Sequence, residues 1–254
     1  MKKELWFEVD ETTLRRSEAE TKLAVADKDN VSTTAKGTVM IIDLFPPSSA
    51  SSTSASSLGK YLAMDCEMVG VGPDGVDSAL ARVSLVNYHG QVVLDRHVKP
   101  VEKITDYRTH VSGIEPHHLL GASGLETVQK EVWDLIQGKI LIGHSLKNDF
   151  RALLIEHPRK LVRDTSKYRP FRRIACGKSP SLKRLAKEFL GIDIQQGAHD
   201  SVDDARVTML LYRAHKNDWE NYLFRGEGKK IKQQRRTNKA MSFRNIDNKV
   251  CREC

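Results

Sequence analysis

Two acids stand inside a stretch that otherwise reads as a buried strand. Tyr61-Leu-Ala-Met-Asp-Cys-Glu-Met-Val69 is apolar apart from Asp65 and Glu67. Strand side chains alternate faces, so positions 65 and 67 project to the same side, roughly 6–7 Å apart. Two carboxylates that close repel each other and resist burial. A strand end at the surface, with one acid in water, removes the conflict. A divalent cation also removes it, because hard oxygen donors are what Mg²⁺ and Mn²⁺ bind. Which solution applies depends on whether other parts of the chain supply more ligands. The same alternation turns Cys66 to the opposite face, into the core, where it has a packing role.

The surrounding pattern is that of an α/β domain. Leu80–Val86 and Gln91–Val98 flank Asn87-Tyr-His-Gly90, a hairpin signal with glycine where a turn wants it. Strands then alternate with helices. Gly124–Gln137 carries apolar residues at helical spacing, Lys139–Gly143 is a short buried strand, and helices follow over Ser145–Glu156, Ser181–Leu190 and Ser201–His215. A hairpin-rich start followed by βα alternation predicts a mixed central sheet flanked by helices. The boundaries fall at residues 1–57 for a disordered extension with a Ser-rich linker, 58–222 for the domain, and 223–254 for a basic tail. Val39–Phe45 fits either a strand or a docking segment. Lys229–Arg236 fits a targeting or RNA-contacting patch as well as a solvated tail.

Charge and cysteine content narrow the function classes. A net charge of +8 over 254 residues fits a polyanionic partner such as nucleic acid, and also plain solubility. Four scattered cysteines do not make a disulfide framework and fit a reducing compartment. Cys251-Arg-Glu-Cys254 has the spacing of half a zinc site, with no second pair nearby. Met1-Lys-Lys-Glu-Leu-Trp-Phe-Glu8 lacks the apolar run of a signal peptide, and no apolar stretch approaches a membrane span, so no membrane partner is expected.

Three further residues are placed for chemistry. Asp149 lies where a buried strand turns into a helix, in Gly143-His-Ser-Leu-Lys-Asn-Asp-Phe150. The helix dipole favours an acid there, and functional residues of open α/β sheets collect beyond strand ends. Asp204 follows Ser201 at capping-box spacing, so a structural role is available to it as well. His199 precedes that helix and is either a loop residue or a general base.

Taken together, two acids on a first strand, one at a mid-domain helix start and a histidine five positions before a last helical acid match the DEDDh exonucleases. These are the DnaQ-like branch of the ribonuclease H-like fold. Met64–Gly70, Val98–Pro100, Thr105–Thr109, Val111–Ile114, Gly143–Phe150 and His199–Arg206 resemble the eukaryotic RNA exonuclease 4 group, and Leu5-Trp-Phe7 is similar to a short segment that precedes its exonuclease domain.

The resemblance implies a 3′–5′ exonuclease that releases nucleoside 5′-monophosphates from single-stranded RNA. Asp65, Glu67, Asp149 and Asp204 would hold two divalent ions, Mg²⁺ or Mn²⁺, and His199 would take the proton from the attacking water. Met68, Tyr107 and Arg108 are candidate substrate contacts. Lys147 and Arg151 are either phosphate contacts or solvated charges. The group further implies processing of ribosomal RNA precursors in the nucleus, in the nucleolus. Two rivals remain: a single-stranded DNA or RNA exonuclease of antiviral or repair type, and a non-catalytic nucleic-acid-binding assembly factor.

Overall fold

The computed structural model describes residues 41–45 and 58–250, with side chains as far as Arg225 apart from Ile42. Leu5-Trp-Phe7, the Ser-rich stretch 46–57 and Cys251/Cys254 lie outside the described residues, and Lys229–Arg236 lies beyond the described side chains. No helix among the described residues is long and apolar enough to cross a membrane.

Strand β1 (Tyr61–Val71) is the spine of the fold, since its apolar residues on both faces demand cover on both sides. It pairs antiparallel with β2 (Asp77–Asn87), which turns through Asn87–Gly90 into β3 (Val92–Lys99). The predicted hairpin turn forms there. Gly90 adopts φ 75°, and the Asn87 side-chain oxygen accepts from the amides of His89 and Gln91 at 2.9 and 3.1 Å. Strand β4 (Ile104–Asp106) pairs antiparallel with the far end of β1, and helix α1 (Thr109–Ser112) follows it. Two residues of β5 (Ser123–Gly124) pair parallel with β3 and lead into α2 (Leu125–Ile136).

Strand β6 (Ile140–Gly143) then pairs parallel with β1, and helix α3 (Lys147–Leu153) crosses to β7 (Val162–Asp164), parallel to β6. Among the described residues this makes a mixed sheet of seven strands, ordered β5-β3-β2-β1-β6-β7 with β4 on β1. Helices α4 (Arg169–Arg173), α5 (Leu182–Leu185, continued as a π-helix over Ala186–Leu190) and α6 (Ser201–Val250) complete the chain.

Two apolar layers sandwich the sheet. On one face Ala63, Val86 and Ile142 pack against Ala205, Met209 and Tyr212 of α6. On the other, Leu62, Met64, Leu85 and Leu141 pack against Val128, Val132 and Ile136 of α2 and Leu153 of α3. Phe45 decides the reading of Val39–Phe45. After a 3₁₀ turn over Ile41–Leu44 its ring is buried, lying on Gly90 and under the Arg213 guanidinium, 5.0 Å from the ring centre. Ile41–Phe45 docks as a plug, not as a strand, while Val39 and Met40 lie outside the described residues.

Two helix lengths differ from the spacing. The helix expected over Ser145–Glu156 is shorter, because Ser145 and Leu154 both take left-handed backbone angles, φ 62° and 54°. The last helix does not stop at His215 but runs on to Val250.

Candidate active site

The two acids of β1 project from the face that α6 covers. Asp65 pairs in register with Ser84, and Glu67 with Arg82, on β2. A bulge follows, since Met68 pairs with Leu80 and leaves Ala81 as the extra residue. Asp65 is half-buried and Glu67 is 6% exposed.

Asp149 comes from the other layer. At the end of β6 a side chain on Gly143 would strike Leu146, so the chain turns tightly and drives Leu146 inward. The amide of Thr165 donates to the Gly143 carbonyl at 2.9 Å and that of Ser145 to Asp164 Oδ1 at 2.9 Å, which pins the elbow. Helix α3 starts here with Asp149 in its first turn, 4% exposed. The Cys66 thiol and backbone hold the Asp149 carboxyl down against the larger rise from burial. Cys66 does belong to the core layer of α2 and α3, but its thiol also touches a candidate ligand, a contact that alternation alone does not reveal.

Asp204 and His199 arrive with the start of α6. The capping-box expectation for Ser201 and Asp204 fails. Asp200 caps the helix instead, its Oδ1 accepting from the amides of Val202 and Asp203 at 3.0 and 3.1 Å. Ser201 is drawn inward by a 2.6 Å hydroxyl contact with Ser84. Arg82 fixes this arrangement to the sheet. Its guanidinium donates twice to Asp95, at 2.8 and 2.9 Å, and through Nη1 to Asp200 Oδ2 at 2.9 Å. The loop before α6 lies on α1, with the His199 amide donating to the Val111 carbonyl at 2.8 Å.

Glu67, His199 and Asp204 each offer a ligand atom within 4.8 Å of the others. Asp65 and Asp149 lie outside that triplet, but Asp65 is near enough to feel the charges of Asp149, Asp204 and Glu67. Burial first, then the charges of Asp149, Asp204 and Glu67, raise its carboxyl well above the usual range. Burial likewise pushes Glu67 up to about 8, Asp149 to about 7 and Asp204 to about 6. His199 moves the other way, lowered by burial and then by the Lys183 ammonium, which favours the neutral ring.

Of the buried side-chain N and O atoms among the described residues, Glu67 Oε1 and Asp164 Oδ2 lack a hydrogen-bond partner. The Lys167 ammonium stands 2.9 Å from Asp164 Oδ2, whereas no cation faces Glu67 Oε1 that closely. An orphaned oxygen among mutually repelling acids fits a hard divalent cation.

The other candidates divide. Met68 is half-buried beside the α2–α3 layer, and Tyr107 packs on Val69, Ala81, Ile114 and Leu119. Arg108 gives its guanidinium to Ser78 Oγ at 2.8 Å, the Gly75 carbonyl at 2.6 Å and the Asp77 carbonyl at 3.3 Å, so it braces the β1–β2 turn. Lys147 and Arg151 are exposed on α3. Sequence reasoning overlooked Arg82, Asp200 and Gln195. Asp200 carried a readable signal, a capping residue just ahead of a helix, but the other two are recognisable only from what they touch.

Comparison with known proteins agrees with this geometry. The sequence matches the Exonuclease family (RNase_T) over residues 62–212, more than half of the chain. It is 51% identical over 195 residues to RNA exonuclease 4 of Saccharomyces cerevisiae, covering 76% of this chain and 67% of that one. Against RNA exonuclease 4 of Aspergillus fumigatus it is 59% identical over 166 residues, covering 65% and 54%. The chain thus spans between about half and two thirds of these relatives.

Among solved structures it resembles the Neurospora crassa Pan2 catalytic unit, with a TM-score of 0.58, 32% identity and coverage of 70% of this chain and 30% of that one. It also resembles a Saccharomyces cerevisiae Pan2 RNA exonuclease module in complex with AAUUAA RNA, with a TM-score of 0.56, 30% identity and coverage of 63% and 29%. The fold is that of the ribonuclease H-like DEDD exonucleases, and the chain belongs to the exonuclease family as a nuclease of the DEDDh-type RNA exonuclease 4 group.

Proposed function

We propose that this chain is a divalent-metal-dependent exoribonuclease that removes nucleoside 5′-monophosphates one at a time from the 3′ end of single-stranded RNA. The observation that carries this is the grouping of Glu67, His199 and Asp204, with Asp65 raised by the charges of Asp149, Asp204 and Glu67 and with Glu67 Oε1 left orphaned. Asp65, Glu67, Asp149 and Asp204 would hold two ions, Mg²⁺ or Mn²⁺, which when bound supply Lewis-acid stabilisation of the phosphoryl oxygens and acidify water. His199, half-exposed and with its pKa lowered by burial, accepts a proton from water at the edge of the acid cluster. Met68, beyond the bulge, is the β1 side chain we assign to the terminal nucleotide. The RNA substrate is supported by the relatives named RNA exonuclease 4 and by the Pan2 modules that bind RNA.

We further assign the work to ribosomal RNA precursors in the nucleolus, on the strength of the family resemblance and the +8 net charge. A scaffold that kept only the fold has no need of a buried, mutually repelling acid cluster, and this argues against the non-catalytic reading.

The test is mononucleotide release from uniformly labelled RNA in Mg²⁺. Asp65→Ala should abolish release while the circular dichroism spectrum is unchanged, and retained activity would remove the metal assignment. His199→Ala should lower kcat by about 10²–10⁴ with RNA affinity little changed. Equal losses in both would give His199 a binding role. DNA of the same sequence, at the same salt, separates the DNA-directed rival. Sequencing of RNA 3′ ends in cells carrying the Asp65 variant tests the precursor assignment, which unchanged rRNA ends would overturn.

A further inference from the structure

We propose that Gln195 is a positioning residue, whose carboxamide holds Asp204 and His199 in one geometry and whose backbone is kept in an unfavourable conformation to do so. The inference rests on the metal-site reading above and extends it to the loop that precedes α6.

Three distances define the arrangement. Gln195 Nε2 donates to Asp204 Oδ2 at 2.7 Å and lies 3.4 Å from His199 Nδ1, while His199 Nδ1 and Asp204 Oδ2 are 3.6 Å apart. An ionised carboxylate only accepts, so the amide nitrogen is the end that faces Asp204. The same amide nitrogen packs against His199 Nδ1, so Nε2 is the ring nitrogen left to take a proton. One amide group thus restrains the rotation of an acid and of a base that belong to the same site. The Asp204 oxygen keeps a second lone pair, so the contact is compatible with ligation. Partners of this kind orient metal ligands, and their loss typically weakens metal affinity or activity about 10–100-fold.

The backbone shows what this placement demands. Gln195 has φ 53°, the left-handed region, which disfavours a side chain other than Gly, Asn or Asp. The conformation is held from both sides. Ile194 is buried in the α6 layer, and the Lys183 ammonium donates to the Gln195 carbonyl at 3.0 Å. Glycine at this position would relieve the backbone but remove the amide. An observed outlier whose side chain reaches two site residues is the pattern of strain kept for function.

The test compares Gln195→Gly, Gln195→Leu and Asp204→Asn in the full chain by thermal melting and by Mn²⁺ calorimetry. Both Gln195 variants lose the amide, and only glycine relieves the backbone. The expected result is a 10–100-fold weaker Mn²⁺ affinity for both, with a similar fall in kcat, while the glycine variant melts above the leucine variant. A merely structural residue would change melting and leave Mn²⁺ affinity alone. If Asp204→Asn loses Mn²⁺ but both Gln195 variants bind it like the unsubstituted chain, the positioning role is overturned and the site reading stands. If the unsubstituted chain binds no Mn²⁺, both fall.

Discussion

Glu67 concentrates the electrostatics of the site in one side chain. Its register partner Arg82 is the obvious counter-charge, but that guanidinium is committed to Asp95 and Asp200. The carboxyl is pushed up to about 8, chiefly by burial and then by Asp204, against a partial lowering by the Arg82 charge. The sign of the stability effect follows. The folded chain binds a proton that the unfolded chain releases above its ordinary value near 4.5, so stability falls as pH rises from there to about 8. Without metal, the melting temperature should drop across pH 5–8, and added Mg²⁺ should offset the drop. Glu67→Gln should flatten this slope and stabilise the metal-free chain at pH 8 by about 1 kcal/mol or more, while abolishing RNA hydrolysis. A slope unchanged in the variant would show that Glu67 ionises freely. The conflict itself was legible in the sequence, because two acids two apart on an apolar strand must clash. The identity of the residues that fail to relieve it was not.

At the scale of elements, the elbow between β6 and α3 places Asp149. Gly143 is required there for space rather than for its φ, because a Cβ would run into Leu146, which is itself 1% exposed. Gly143→Ala should therefore destabilise the domain by about 1–3 kcal/mol, read from chemical denaturation. Below its melting temperature the variant should also lose more activity than RNA binding, because the helix start moves. The long elements were readable from periodicity: β1, the β2–β3 hairpin and α2 form where the apolar spacing puts them, and β6 forms on a short run of apolar residues. Three-residue strands such as Ile104–Asp106 and Val162–Asp164 were not, since so short a segment has no period to read. Asp200 displaced Ser201 as the cap because Ser84 claims the Ser201 hydroxyl across the sheet.

At the scale of the whole molecule, α6 ties the site to the far edge of the sheet. Its first turn carries Asp204, and further on Glu220 accepts from Arg163 of β7 twice, each at 2.7 Å, and from the Tyr212 hydroxyl at 2.8 Å. The Arg163 side chain is 6% exposed, so the pair is well shielded on that side. Arg163→Met keeps the stem and removes the charge, leaving Glu220 without its strongest partner. It should cost about 2–3 kcal/mol of stability. Assayed below its melting temperature, kcat should stay within about twofold, since Arg163 touches none of the site residues. A large loss of kcat at full folding would show that the edge strand is coupled to the chemistry.

The chain order of Asp65, Glu67, Asp149, His199 and Asp204, and the βα alternation around them, are properties of the sequence alone. Composition, period and spacing are local quantities, and they were enough for the α/β class and for the candidate ligands. The tertiary structure decided everything that depends on distant partners. It brought Glu67 of β1 together with His199 and Asp204 at the start of α6, tied Arg82 to Asp95 and Asp200, and set Ser201 against Ser84. Hydrogen bonds of about 3 Å between residues far apart in the chain have no periodicity, so only the folded arrangement reveals them.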